Sequence, residues 1–279
     1  MLSNVSMKQL LETGVHFGHR TTKWNPKMKP YIYMERNGIH IIDLQQTLAN
    51  LNQYADMITD IVKKGGSVLF VGTKRQAQEA IAHEAERASM PYVNTRWLGG
   101  TLTNWTTIRK RIDTLKSMEK KREAGEFEIL NKKERLQIDT EIEKLQLRLG
   151  GIRDMKRLPE LLIIVDTVRE ATAVKEANSL KIPVLALADT NSNPDQIDYI
   201  LPANDDAVRA IKLLLAAFAD AAIEGQQSRK DVEEAGVEPE YVDKDQEEDD
   251  EKLLGESILS KLRSTKLADE DETDEEEEA

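Results

Sequence analysis

The sequence predicts an α/β protein in which a parallel sheet carries helices on both faces. The first sign is a set of short unbroken apolar runs: Val68-Leu69-Phe70-Val71, Leu161-Leu162-Ile163-Ile164-Val165 and Val184-Leu185-Ala186-Leu187-Ala188. Runs of this kind mark strands buried on both faces. The second sign is that stretches of helical period alternate with them. A third observation adds an appendage: residues 105–157, between two of the runs, are highly charged and follow a different period.

From Asp43 to Lys64, Leu44, Leu48, Leu51, Ala55, Ile58 and Val62 recur at helical spacing, with Asp43 as N-cap and Gly65-Gly66 as the stop. Gly72-Thr73 ends the first apolar run, and Thr73 is expected to cap a helix from Lys74 to Ser89. A short strand follows at Tyr92-Val93-Asn94. The later elements are a helix near Val168–Leu180, a short strand around Ile200-Leu201 and a closing helix from Asp205 to Ile223.

In the charged segment, Ile108, Ile112 and Leu115 face Ile138, Ile142, Leu145, Leu149 and Ile152, with a break at Ala124-Gly125. The spacing predicts an antiparallel helical hairpin with a coiled-coil-like seam. Its charge makes a projecting arm the expectation, outside the main core.

Charge divides the chain. Its 279 residues carry a formal net charge of -12 and no cysteine, which excludes disulfides, cysteine metal sites and thiol catalysis. Residues 226–279 hold 22 acidic and 7 basic side chains, leaving 32 basic against 29 acidic in residues 1–225. The acidic balance thus belongs to a tail expected to be disordered. Within it Leu254, Ile258 and Leu262 share one helical face. The start lacks a basic region followed by an apolar run, and no stretch approaches the 18 or so apolar residues of a membrane span. Together with the absence of cysteine, this suggests the cytoplasm.

Four clusters could carry chemistry. Gly72-Thr73-Lys74 follows a strand, where backbone amides at a helix start favour an anion, but it lacks the glycine spacing of a nucleotide cradle. His16 and His19 could share a metal, yet a site needs further ligands, and the other histidines are His40 and His83. Asp189, Asp195, Asp198, Asp205 and Asp206 could hold a hard cation or simply form turns and caps with Asn191, Asn193 and Asn204. No nucleophile–base pair stands out, so covalent catalysis has no support. The fourth cluster is basic with interleaved aromatics: Arg20, Lys23, Trp24, Lys27, Lys29, Tyr31 and Arg36, then Arg96, Trp97, Arg109, Lys110 and Arg111. Cations on an irregular loop beside aromatic rings suit RNA, by phosphate pairing and stacking.

Several of these stretches are also motifs. H-F-G-H at 16–19, W-N-P-K-M at 24–28, R-N-G-I-H-I-I-D-L at 36–44, V-G-T-K at 71–74, R-W-L-G-G-T-L-T-N at 96–104 and D-T-N at 189–191 occur in one order. N-P at 193–194, D-Y at 198–199 and A-N-D-D-A at 203–207 follow. Over about residues 5–223 the chain resembles bacterial-type ribosomal protein two of the small subunit. The resemblance implies a flavodoxin-like α/β domain with a protruding hairpin. It implies a structural, non-enzymatic protein without a cofactor that binds small-subunit ribosomal RNA near the junction of head and body. It also implies a role in recruiting ribosomal protein one, and work in the ribosome rather than as a homo-oligomer. The long acidic tail departs from the family's common pattern.

The expected organisation is an RNA-binding segment with the first part of the α/β domain at 1–104, the hairpin at 105–157, the rest of the α/β domain at 158–225 and the tail at 226–279. Lys74 joins the expected RNA contacts. Two other readings stay open: a nucleotide-binding protein using Gly72, Thr73, Lys74 and Asp189, and an adaptor acting through hairpin and tail.

Overall fold

The structure is a computed structural model that describes residues 5–129 and 131–234. Five parallel strands, β4 (Val68–Val71), β5 (Tyr92–Val93), β6 (Leu161–Val165), β7 (Val184–Ala188) and β8 (Tyr199–Pro202), lie in the order β5-β4-β6-β7-β8. Counted along the chain this is the 2-1-3-4-5 order of flavodoxin-like folds. Strand alternation sorts each apolar run into two cores. Val68, Phe70, Leu161, Ile163, Val165, Leu185 and Leu187 point to one side. Leu69, Val71, Leu162, Ile164, Val184, Ala186 and Ala188 point to the other.

The first core is covered by α1 (Met7–Thr13), α2 (Leu44–Lys63), α3 (Gln78–Arg87) and α7 (Val208–Glu234). Asp43 caps α2 as expected, its carboxylate accepting from the N–H of Gln45 at 3.0 Å. α2 and α7 cross closely at Gly225, where an added Cβ would stand 2.7 Å from the Thr59 carbonyl oxygen and 2.9 Å from Val62 Cβ. The hydroxyl of Thr59 donates to the Ala221 carbonyl at 3.0 Å beside that crossing.

The second core is covered by α6 (Ala171–Ser179), by the loop around Trp97 and Leu102, and by the base of the hairpin formed by α4 (Trp105–Glu123) and α5 (Lys132–Leu149). Ile108, Ile112, Leu149 and Ile152 belong to this core. The hairpin is therefore rooted in the domain, and only its outer part projects as the charge pattern suggested.

Three further differences have physical causes. The helix expected from Lys74 starts at Gln78, and Thr73 does not cap it: Thr73 gives its N–H and hydroxyl to the buried Glu170 carboxylate, at 2.8 and 2.6 Å. The segment read as a loop at 20–31 contains two 3₁₀ turns, Thr21–Lys23 and Pro26–Tyr31. It sits within a small antiparallel sheet of β1 (Phe17–Arg20), β2 (Ile32–Arg36) and β3 (Ile39–Ile42), ordered β1-β3-β2. Finally, α7 runs past Ile223 to Glu234, into the segment assigned to the tail, with Gln226 Nε2 donating to the Ala88 carbonyl at 2.7 Å. The remaining tail, with Leu254, Ile258 and Leu262, lies outside the described residues. Among the described residues no helix is long and apolar enough to cross a membrane.

Candidate nucleic-acid interface

In open α/β sheets, ligands gather at the carboxyl ends of the strands where the strand order reverses. Here that place lies between β4 and β6, and the protein fills it with its own charges. Lys74, after β4, holds Asp205 Oδ1 at 2.7 Å, Asp206 Oδ1 at 2.6 Å and Asp166 Oδ2 at 3.4 Å. Burial works against the Lys74 charge, but the hydrogen bonds it donates to Asp205 and Asp206 more than reverse this and hold the ammonium protonated. Asp205 is wholly buried, and burial, then Asp189 and Asp166, push it up to about 7. Lys74 is thus committed to carboxylates, leaving neither a nucleotide cradle nor a free phosphate contact at this turn.

The N-terminal sheet closes over the same edge. The His19 N–H donates to Asp189 Oδ1 at 3.1 Å and to Thr190 Oγ1 at 2.9 Å, and the Asn25 N–H donates to the Thr190 carbonyl at 2.8 Å. This contact explains the glycine between the two histidines: a Cβ on Gly18 would stand 2.6 Å from Thr190 Cγ2 and 3.1 Å from the His40 carbonyl oxygen. His16 leans on Phe17, and burial lowers its pKa. His83 is exposed beside Glu84.

The basic loop is therefore anchored at both ends. Met28 is buried, Tyr31 packs against the second core, and Trp24 lies on the His40 ring at 4.8 Å between centroids. Lys27 pairs with Asp195. Arg20, Lys23, Lys29 and Arg36 are exposed and, among the described residues, make no side-chain hydrogen bond or ion pair.

In the second patch, Arg96, Lys110 and Arg111 are likewise exposed and unpaired among the described residues, and Arg109 makes a long 3.4 Å contact to the Lys156 carbonyl. Trp97 differs. It is 9% exposed, and its indole N–H donates to Glu176 Oε1 at 3.0 Å. That ring is part of the core and cannot stack on a base.

Glu176 was not singled out from the sequence. Its carboxylate also accepts from the backbone N–H groups of Gly100, Leu102 and Thr103 at 2.8, 3.0 and 3.2 Å and from the Thr103 hydroxyl at 3.2 Å. Burial pushes its pKa up, but these donors outweigh burial and leave it below the ordinary value. The available signal was position, since Glu176 shares the helix face of the buried Ala173 and Ala177.

The family profile described as ribosomal protein S2 matches residues 10–225. The chain belongs to the ribosomal protein S2 family. Its members are structural constituents of the small ribosomal subunit and not enzymes, and they associate with its RNA and proteins. The matched span covers both sheets, the hairpin and most of α7. In this S2-family protein the ligand position of the flavodoxin-like sheet is filled by its own Lys74 and aspartates.

Proposed function

We propose that this S2-family protein binds small-subunit ribosomal RNA directly, chiefly through Arg20, Lys23, Lys29 and Arg36. Arg96, Arg109, Lys110 and Arg111 form the second contact. The observation that carries this reading is that the first four cations are exposed and, among the described residues, unpaired, on a segment pinned to the sheet edge at His19, Asn25 and Met28. Cations held in place by a scaffold reach phosphates with little ordering cost. Lys27, Trp24 and Tyr31 support the loop, while Lys74 and Trp97 belong to the interior. The resemblance supports two further parts of the proposal, recruitment of ribosomal protein one and action as a single copy within the ribosome in the cytoplasm.

Replacing Arg20, Lys23 and Lys29 by Ala tests the proposal. The variant is expected to fold normally and to enter small subunits poorly. Normal incorporation would overturn the role of this loop. Deleting residues 235–279 distinguishes the adaptor reading: RNA-led binding survives the deletion, whereas tail-led assembly does not.

A further inference from the structure

At the end of the sheet opposite Lys74, a cleft of about 760 Å³ opens beside the amino ends of β4, β5 and β6. That volume lies within the roughly 300–1,000 Å³ usual for ligand sites. Four segments wall it: the end of α2, the end of α3 with the chain into β5, the exit of the hairpin, and the part of α7 that runs past Ile223.

The walls are fastened to one another. Gln226 Nε2 donates to the Ala88 carbonyl at 2.7 Å, which ties α7 to the end of α3. The Arg157 guanidinium donates to the Gly65 carbonyl at 2.5 Å, which ties the hairpin exit to the end of α2. A Cβ on Gly151 would collide with the Tyr92 carbonyl oxygen, so the hairpin exit lies directly against β5. A cleft held in this way exists before a ligand arrives, which lowers the ordering cost of binding.

Floor and rim differ in character. Val62, Met90, Pro91 and Met155 are buried or half-buried and supply an aliphatic and thioether floor. Methionine side chains adapt to varied apolar shapes. Around them Lys156, Arg157, Arg229 and Lys230 outnumber Glu86 and Asp154. Both carboxylates are engaged, Glu86 by the Tyr92 hydroxyl at 2.6 Å and Asp154 by Lys116 at 3.4 Å. The side chains of Lys156 and Lys230 are exposed and, among the described residues, make no hydrogen bond or ion pair. The rim therefore carries surplus positive charge above an apolar floor.

We propose that this cleft docks an acidic peptide segment of a neighbouring protein, with an apolar side chain on the floor and carboxylates at Lys156 and Lys230. The floor favours a protein over RNA, which offers bases and phosphates but no aliphatic side chain. This docking is independent of the RNA contacts of the basic loop, so either can fail without the other.

The probe is a fluorescein-labelled synthetic peptide of glutamates around a central Leu-Leu pair, titrated with the full-length protein by anisotropy. Saturable binding of one peptide per chain is expected. Replacing the leucines of the probe by serine, or combining Lys156→Glu with Lys230→Glu in the protein, should each weaken binding about 10-fold or more. Both lysines are exposed, so the double variant should keep its circular dichroism and thermal midpoint. Absence of saturable binding, equal binding of the serine probe, or unchanged binding by the double variant overturns the proposal. A double variant that loses affinity for small-subunit ribosomal RNA while binding the peptide as before overturns it in favour of an RNA groove. If the double variant does not fold, the serine probe on wild type still decides.

Discussion

Trp97 and Glu176 are joined by a 3.0 Å hydrogen bond from the indole N–H to the carboxylate, in the second core. That carboxylate also gathers three backbone N–H groups of the loop from Gly100 to Thr103, so one acidic side chain organises the Arg96–Asn104 motif. Glu176→Ala would strand those donors, and hydrogen bonds to charged groups contribute about 1.5–3 kcal/mol each. A net loss of about 3 kcal/mol is expected, read as a lower urea midpoint. A loss below about 1 kcal/mol would show that the loop holds without it.

The same carboxyl gives the protein an acid limit. Burial raises its pKa but the donors more than compensate, so its folded value lies below the ordinary 4.5. A depressed folded pKa contributes stability that is complete above the unfolded value and is lost as pH falls through the folded one. Wild type should therefore lose stability more steeply than Glu176→Gln as pH drops below the ordinary carboxylate range. Parallel denaturation curves at descending pH would refute this.

Gly18→Ala places a Cβ 2.6 Å from Thr190 Cγ2. Overpacking of this kind costs about 1–3 kcal/mol. Thr190→Ser removes that methyl while keeping a hydroxyl, so the double variant should recover part of the loss in a double-mutant cycle. Strict additivity would mean that the two residues do not press on one another.

At Gly225 two effects compete. Alanine is favoured over glycine inside a helix by about 1 kcal/mol. Against that, its Cβ would stand 2.7 Å from the Thr59 backbone oxygen, an atom that cannot rotate away. The clash should win, so Gly225→Ala lowers the thermal midpoint. A stabilised variant would mean that α2 and α7 can separate at little cost.

What the sequence disclosed followed from how fully each element is buried. The strands at 68–71, 161–165 and 184–188 are buried throughout, so their runs are unbroken and legible. β2 is mostly exposed, with Tyr33, Met34, Glu35 and Arg36 open to solvent, and carries no apolar signature. Its one clear signal is Asn37-Gly38, both at positive φ, the pair that closes tight hairpins. α1 was marked only by its capping box of Ser6 and Gln9. Thr73 was misread because its competitor for hydrogen bonds, Glu170, lies 97 positions away. The cations of the proposed interface are legible as exposed charge, but sorting Lys74 and Trp97 from the rest needs Asp205, Asp206 and Glu176 brought beside them by the fold.

In the proposed function Arg20, Lys23, Lys29 and Arg36 neutralise RNA phosphates. The salt dependence of binding to small-subunit ribosomal RNA tests it most directly. Each phosphate contact adds roughly 0.7–0.9 to the slope of log affinity against log salt. Replacing the four residues together by Ala should reduce that slope by about 3 and weaken binding at low salt. A variant with wild-type slope and affinity would show that these four cations do not meet RNA phosphates.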